Sequence, residues 1–130
     1  MKLNQILETA LYVNDLTQAE HFYCELLGLE KVSSTPNRDL FLRCGNSMLL
    51  LFNPVQTKVD GGVVPTHGSI GQGHMAFGIP RTDLLAWTKF LKEKGIAIEK
   101  NVNWDEKDAS IYFRDPSGNS IELASETLYS

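Results

Sequence analysis

Long hydrophobic runs are missing from this 130-residue sequence: the longest uninterrupted apolar stretch covers residues 48–52, against the roughly 20 residues a bilayer-crossing helix needs. No membrane span is expected, and because the N-terminus lacks a signal-peptide pattern the expected location is the cytoplasm. Basic clusters are missing as well. Twelve Lys and Arg face sixteen Asp and Glu, giving a formal charge of −4, and no patch of positive side chains could neutralise a run of phosphates, so nucleic acid is not an expected partner. Cysteine is scarce: Cys24 and Cys44 are too few for a disulfide framework and are expected to be free. His21 stands three residues before Cys24, but nothing nearby would orient that imidazole as a base for a nucleophilic thiol. Low-complexity tracts are absent too, and 42% apolar with 22% charged residues is the composition of one globular domain.

What the sequence does contain is a repeated order of elements. Residues 16–27 carry Ala19, Phe22, Tyr23, Leu26 and Leu27 at helical spacing, with Asp15 as N-cap, Gln18 three positions on and Gly28 as terminator. Residues 83–94 repeat the scheme with Leu84, Trp87, Phe90 and Leu91, a cap at Thr82 or Asp83, and Gly95 as terminator. A β-like segment runs directly into each helix, residues 7–13 and 74–79, and two more strand candidates follow each helix, at 39–43 and 47–52 and again at 110–114 and 120–125. The turn Gly45-Asn46-Ser47 recurs as Gly118-Asn119-Ser120 before the last strand of each half. The spacing thus predicts an α+β fold of two tandem βαβββ modules, about 1–54 and 73–130. Residues 55–72, rich in glycine and without periodicity, form a linker or mobile cover, in which His67 is read as a solvated loop residue.

Equivalent positions of the two copies hold unlike residues at telling places. The first strands align Glu8 with His74, and the last strands align Leu49 with Glu122. Three of these four positions therefore carry side chains able to bind a metal, each in a strand where a lone charge is costly to bury. Strand parity agrees: Leu7, Leu11 and Val13 alternate with Glu8, Met75, Phe77 and Ile79 with His74, and Ile121 and Leu123 with Glu122, while small residues (Ala10, Ala76, Gly78, Ala124) share the polar face.

The stretches LYVNDLTQAEHFYCELLGLE (11–30), GHMAFGI (73–79) and YFRDPSGNSIEL (112–123) resemble the vicinal-oxygen-chelate superfamily, the glyoxalase, bleomycin-resistance and extradiol-dioxygenase group, over nearly the whole chain. That resemblance implies curved mixed sheets enclosing a cleft, completed by homodimerisation. It also implies a divalent metal held by one residue on the first strand of module one, a histidine on the first strand of module two and a glutamate on the last strand, here Glu8, His74 and Glu122. In many such dimers the first-strand ligand comes from one subunit and the other two from its partner. Glyoxalase I and methylmalonyl-coenzyme A epimerase use a fourth ligand or base where this chain has Leu49 flanked by Met48 and Leu50, so neither activity is expected. Thiol transferases and extradiol dioxygenases need three ligands, although their first-strand ligand is typically histidine rather than Glu8.

One imidazole and two carboxylates suit Mn, Fe, Ni, Co or Zn and leave coordination positions for a small-molecule substrate, whose developing negative charge the ion would stabilise as a Lewis acid. The expected activity is that of a metalloenzyme acting on a small oxygenated molecule as an isomerase, lyase, thiol transferase or dioxygenase. Glu8 serves as a base if it is not a ligand, and Tyr12, on the parity of Glu8, is a candidate catalytic residue; Arg114 and Trp104 are candidate rim residues. The alternative is a metal-free protein that sequesters a drug or other ligand, in the manner of bleomycin-resistance proteins.

Overall fold

The alternation read from the sequence becomes two four-stranded mixed sheets in the computed structural model, which describes residues 1–130. The chain divides into two compact units, Met1–Gly71 and Gln72–Ser130, each with its own sheet.

Unit 1 runs β1 (Glu8–Tyr12), α1 (Leu16–Glu20) continuing as a π-helical segment (His21–Leu26), β2 (Glu30–Thr35), β3 (Asp39–Cys44), β4 (Ser47–Phe52) and a short α2 (Pro54–Thr57). Its sheet has the order β1-β4-β3-β2, with β1 parallel to β4 and the other pairs antiparallel. The first helix opens as its sequence demands: Asp15 accepts the Gln18 N–H at 2.9 Å, and Gly28 ends it with a φ of 81°, a left-handed conformation that favours glycine. Ala19, Phe22 and Tyr23 pack with Leu11, Val13, Leu40, Leu42, Leu49 and Leu51 to make the core of this unit. Burying each of the larger side chains is worth about 1.5–3 kcal/mol. Leu7 departs from the expected parity, for it precedes β1 and is exposed.

Unit 2 repeats the order: β5 (His74–Ile79), a 3-10 turn (Arg81–Asp83), α3 (Leu84–Glu93), β6 (Lys100–Asn103), β7 (Ala109–Arg114) and β8 (Ser120–Ser125), with sheet order β5-β8-β7-β6. Leu84 and Leu91 bury against Ile79, Ile111, Phe113, Ile121 and Leu123. Neither Thr82 nor Asp83 caps α3 with its side chain. Asp83 has a helical backbone (φ −89°, ψ −9°) where an N-cap needs an extended one, and its N–H instead closes a turn on the Pro80 carbonyl.

Two strands escape the periodicity argument. Every residue of β2 is exposed, and β6 has only Val102 partly covered, so neither has an apolar face to produce alternation. Both are edge strands, and the charged Glu30, Lys31 and Lys100 on them discourage pairing with another chain.

The register also corrects the alignment of the modules. In unit 1 Glu8 pairs with Met48 and Ala10 with Leu50; in unit 2 His74 pairs with Ser120 and Ala76 with Glu122. Leu50, not Leu49, therefore stands where Glu122 stands. Leu49 pairs with Thr9 and faces the buried side. The tripeptide match misleads by one position because Gly45-Asn46 is a two-residue turn between paired Cys44 and Ser47, whereas Gly118-Asn119 closes a five-residue loop between paired Arg114 and Ser120. The fourth position is apolar under either alignment.

Candidate metal centre

The last strand pair of unit 2 sets the geometry. Parallel pairing of β5 with β8 places His74 beside Ser120, with Glu122 two residues further along β8 and on the same face. His74 Nε2 and Glu122 Oε1 lie 3.3 Å apart. The His74 side chain is half exposed at 52%, while that of Glu122 is 8% exposed, so the pair consists of a buried carboxylate with an accessible imidazole at its mouth.

Both donors are held from behind. His74 Nδ1 lies 3.0 Å from the Ser120 carbonyl, which can only accept, so Nδ1 donates there and Nε2 is the ring nitrogen left facing Glu122 Oε1. Glu122 Oε2 accepts the Ser110 hydroxyl at 2.6 Å. Two atoms each about 2.1 Å from one ion stand roughly 3.0–3.4 Å apart, so the observed separation fits two ligands of a single divalent cation. Within this unit no third His, Cys, Asp or Glu joins them to make a metal-holding group.

The loop before β8 explains why His74 starts its strand at this point. Asp115 Oδ1 accepts the backbone N–H of Ser117 and of Asn119, and Asn119 Nδ2 donates to Asp115 Oδ2 at 2.9 Å. Asn119 Oδ1 in turn accepts the Gly73 N–H at 2.7 Å, and the Ser120 N–H returns to the Gly73 carbonyl. The buried Asp115–Asn119 brace thus ties the residue preceding His74 to the strand that carries Glu122.

Two residues of this face escaped the sequence reading. Tyr112 pairs directly with Glu122 across β7 and β8, and its ring stacks on His74 at 6.2 Å. Burial, and then the Glu122 carboxylate, push the Tyr112 phenol above its ordinary pKa. Ser110 is the second. A signal was present, since Ser110, Tyr112 and Arg114 alternate with Ile111 and Phe113, but only the register connects that polar face to Glu122. Arg114 is occupied by a two-pronged ion pair with Glu99 and a bond to the Gly118 carbonyl. Trp104 is half exposed and donates its Nε1–H to Ser110 Oγ at 2.9 Å.

In unit 1, Glu8 and Ala10 stand exposed on β1, and Tyr12 shares their face. The Tyr12 hydroxyl lies 2.7 Å from His67 Nδ1, and the His67 ring packs edge-on against Phe52 at 4.6 Å. His67 is therefore an anchor rather than a solvated loop residue: together with the bond from its N–H to the Thr57 carbonyl, it pins the segment after α2 to β1 and β4. His21 pairs with Glu25 at 2.5 Å on the surface, and both cysteines are free with pKa values raised by burial, so no Cys/His nucleophile forms.

Comparison with known proteins supplies the lineage. The family model described as Glyoxalase/Bleomycin resistance protein/Dioxygenase superfamily matches residues 3–123. The chain is 30% identical over 129 residues to a metallothiol transferase FosB of Staphylococcus epidermidis, covering 98% of this chain and 86% of that one. It is 30% identical over 121 residues to a glutathione transferase FosA of Serratia marcescens, covering 93% and 80% respectively. Among solved structures, a lactoylglutathione lyase from Agrobacterium tumefaciens superposes with a TM-score of 0.95 at 36% identity, covering 100% of this chain and 99% of that one.

Proposed function

Since the chain belongs to the glyoxalase, bleomycin resistance protein and dioxygenase superfamily, we propose that it is a metal-dependent enzyme of thiol-transferase type acting on a small oxygenated electrophile. The observation that carries this reading is the His74–Glu122 pair, two donors 3.3 Å apart and each fixed from behind. The names of its relatives add direction, because a metallothiol transferase and a glutathione transferase both join a thiol to a second molecule.

In this proposal His74, Glu122 and Glu8 hold one divalent ion, of which Mn, Fe, Ni, Co and Zn all suit the donor set. Glu8 is assigned to the centre of a second copy of the chain, the arrangement of many dimers that the sequence resembles, and its exposure on β1 leaves it open to such a partner. The bound ion supplies positive charge that stabilises negative charge developing on a substrate oxygen. The thiolate sulfur bonds to a substrate carbon, the carbon–oxygen bond there breaks, and the released oxygen takes up a proton. Tyr112 borders the centre through its contacts with His74 and Glu122 and is assigned to substrate contact. Tyr12 lies on the face of Glu8 and is assigned to substrate contact, with its hydroxyl oriented by His67. Leu50, at the fourth position, offers no ligand or base, which argues against the lyase reaction named for the structural relative.

Two experiments test the reading. Incubating Mn-loaded protein with fosfomycin or a simple epoxide and glutathione or cysteine is expected to consume one thiol per ring opened. Turnover of the methylglyoxal–glutathione adduct without any epoxide opening would put the lyase reaction in its place, and tight bleomycin binding indifferent to metal would favour sequestration. For the shared site, mixing Glu8→Gln with His74→Ala protein should restore about a quarter of the metal sites, because half of randomly exchanged dimers are mixed and each mixed dimer holds one intact site. No recovery after demonstrated subunit exchange would place all three ligands in one chain.

A further inference from the structure

Behind the His74–Glu122 pair a line of hydrogen bonds leads away from the centre, and the proposed reaction makes no use of it. Ser110 is fully buried on β7, on the face that carries Glu122. Its hydroxyl lies 2.6 Å from Glu122 Oε2 and 2.9 Å from Trp104 Nε1. An indole N–H can only donate, so Ser110 Oγ accepts from Trp104; an ionised carboxylate can only accept, so the single serine proton points to Glu122. The direction of the whole line is fixed by the chemistry of its two ends.

Trp104 is held for this task by its turn. Its own N–H bonds to the Asp108 carbonyl at 2.9 Å, and Asp105 Oδ1 accepts the N–H of both Lys107 and Asp108 at 2.7 Å. The Thr127 hydroxyl then secures Asp108 Oδ1 at 2.6 Å. The result is an indole 50% exposed to solvent whose one polar atom is turned inward, an arrangement that core packing alone does not explain.

We propose that Ser110, steadied by Trp104, is a positioning residue: by occupying Oε2 of Glu122 it leaves Oε1, beside His74 Nε2, as the oxygen that takes the metal. The inference rests on the metal-centre reading above. A glutamate has three rotatable bonds, and a carboxylate free to turn would present either oxygen. The charge-assisted bond from Ser110 selects one.

The test is calorimetric titration of the full chain with Mn²⁺, with thermal unfolding as a check on folding. Ser110→Ala is expected to weaken Mn²⁺ binding about 10- to 100-fold, the usual effect of removing an outer-shell partner. Ser110→Thr, which keeps the hydroxyl, should recover most of that loss. Trp104→Phe, at a half-exposed site that tolerates substitution, should weaken binding several-fold and decides the matter if the buried serine variants fail to fold. Wild-type affinity in both Ser110→Ala and Trp104→Phe would overturn the proposal. Should the wild-type chain itself bind no Mn²⁺, the metal reading fails and the metal-free protein decides the positioning claim. Nitrogen resonances of the His74 ring that move in Ser110→Ala as they do in Glu122→Gln would support it, and unmoved resonances would sink it.

Discussion

Replacing Asn119 with alanine should damage the protein far more than its place in a loop suggests. The side chain is 1% exposed; its Oδ1 accepts the Gly73 N–H at 2.7 Å, and its Nδ2 donates to the buried carboxylate of Asp115 at 2.9 Å. Loss of the neutral bond costs about 0.5–1.5 kcal/mol and loss of the bond to a charged group about 1.5–3 kcal/mol, so the sum is about 2–4.5 kcal/mol. For a chain of this size that corresponds to a fall of roughly 10 °C in unfolding temperature. The same change loosens Gly73 and hence the start of β5, so metal affinity should fall along with stability. Asn46→Ala is the matched control. Asn46 occupies the same Gly-Asn-Ser tripeptide in unit 1 but sits exposed in a two-residue turn, and its removal should cost no more than about 0.5 kcal/mol. Urea unfolding of the two variants side by side is the assay. Equal, small effects would refute the claim that the Asp115–Asn119 brace fixes His74 beside β8.

Three other outcomes follow from particular contacts. Tyr12→Phe removes the bond to His67 and should cost about 0.5–1.5 kcal/mol, with faster proteolytic cleavage within residues 58–71 as the visible sign; unchanged cleavage would contradict the anchoring role. Burial raises the thiol pKa of both Cys24 and Cys44, and Glu20 adds to the effect at Cys24. Both should therefore be mostly protonated at pH 7.5 and alkylate more slowly with iodoacetamide than the same thiols in urea, their rates rising as pH rises through the elevated range. Rapid labelling of Cys24 in the folded chain would contradict that environment. Leu50→Glu puts a carboxylate at the position equivalent to Glu122; it should lower the stability of the metal-free chain, because Leu50 is 7% exposed, and added Mn²⁺ should restore part of the loss. Destabilisation indifferent to Mn²⁺ would place Leu50 outside the centre.

The sequence revealed what periodicity and parity can carry. Helices α1 and α3, the strands with one buried face and the opposition of His74 and Glu122 to apolar neighbours follow from spacing alone, whereas the four-residue α2 is too short to show a period. β2 and β6 did not show because a strand exposed on both sides has no apolar alternation. Ser110 and Tyr112 were visible as polar residues on an alternating strand, but their nearness to Glu122 depends on pairing register, which spacing within one strand does not encode. His67 looked like a loop residue because its partners, Tyr12 and Phe52, are 55 and 15 positions away in sequence. The identical Gly-Asn-Ser tripeptides led the alignment astray by one residue for a related reason. Turn residues are chosen for backbone conformation, and the same three serve a tight hairpin in one unit and the end of a longer loop in the other.

Whether Glu8, His74 and Glu122 hold a metal is answered by the divalent metal content of protein purified without chelator and then saturated with Mn²⁺, beside Glu8→Gln, His74→Ala and Glu122→Gln prepared in the same way. One tightly held ion per wild-type chain is expected, with a loss of affinity of at least about tenfold in each variant and all four proteins folded. A folded wild-type chain that holds no ion, or three variants that hold it as tightly as wild type, would contradict it.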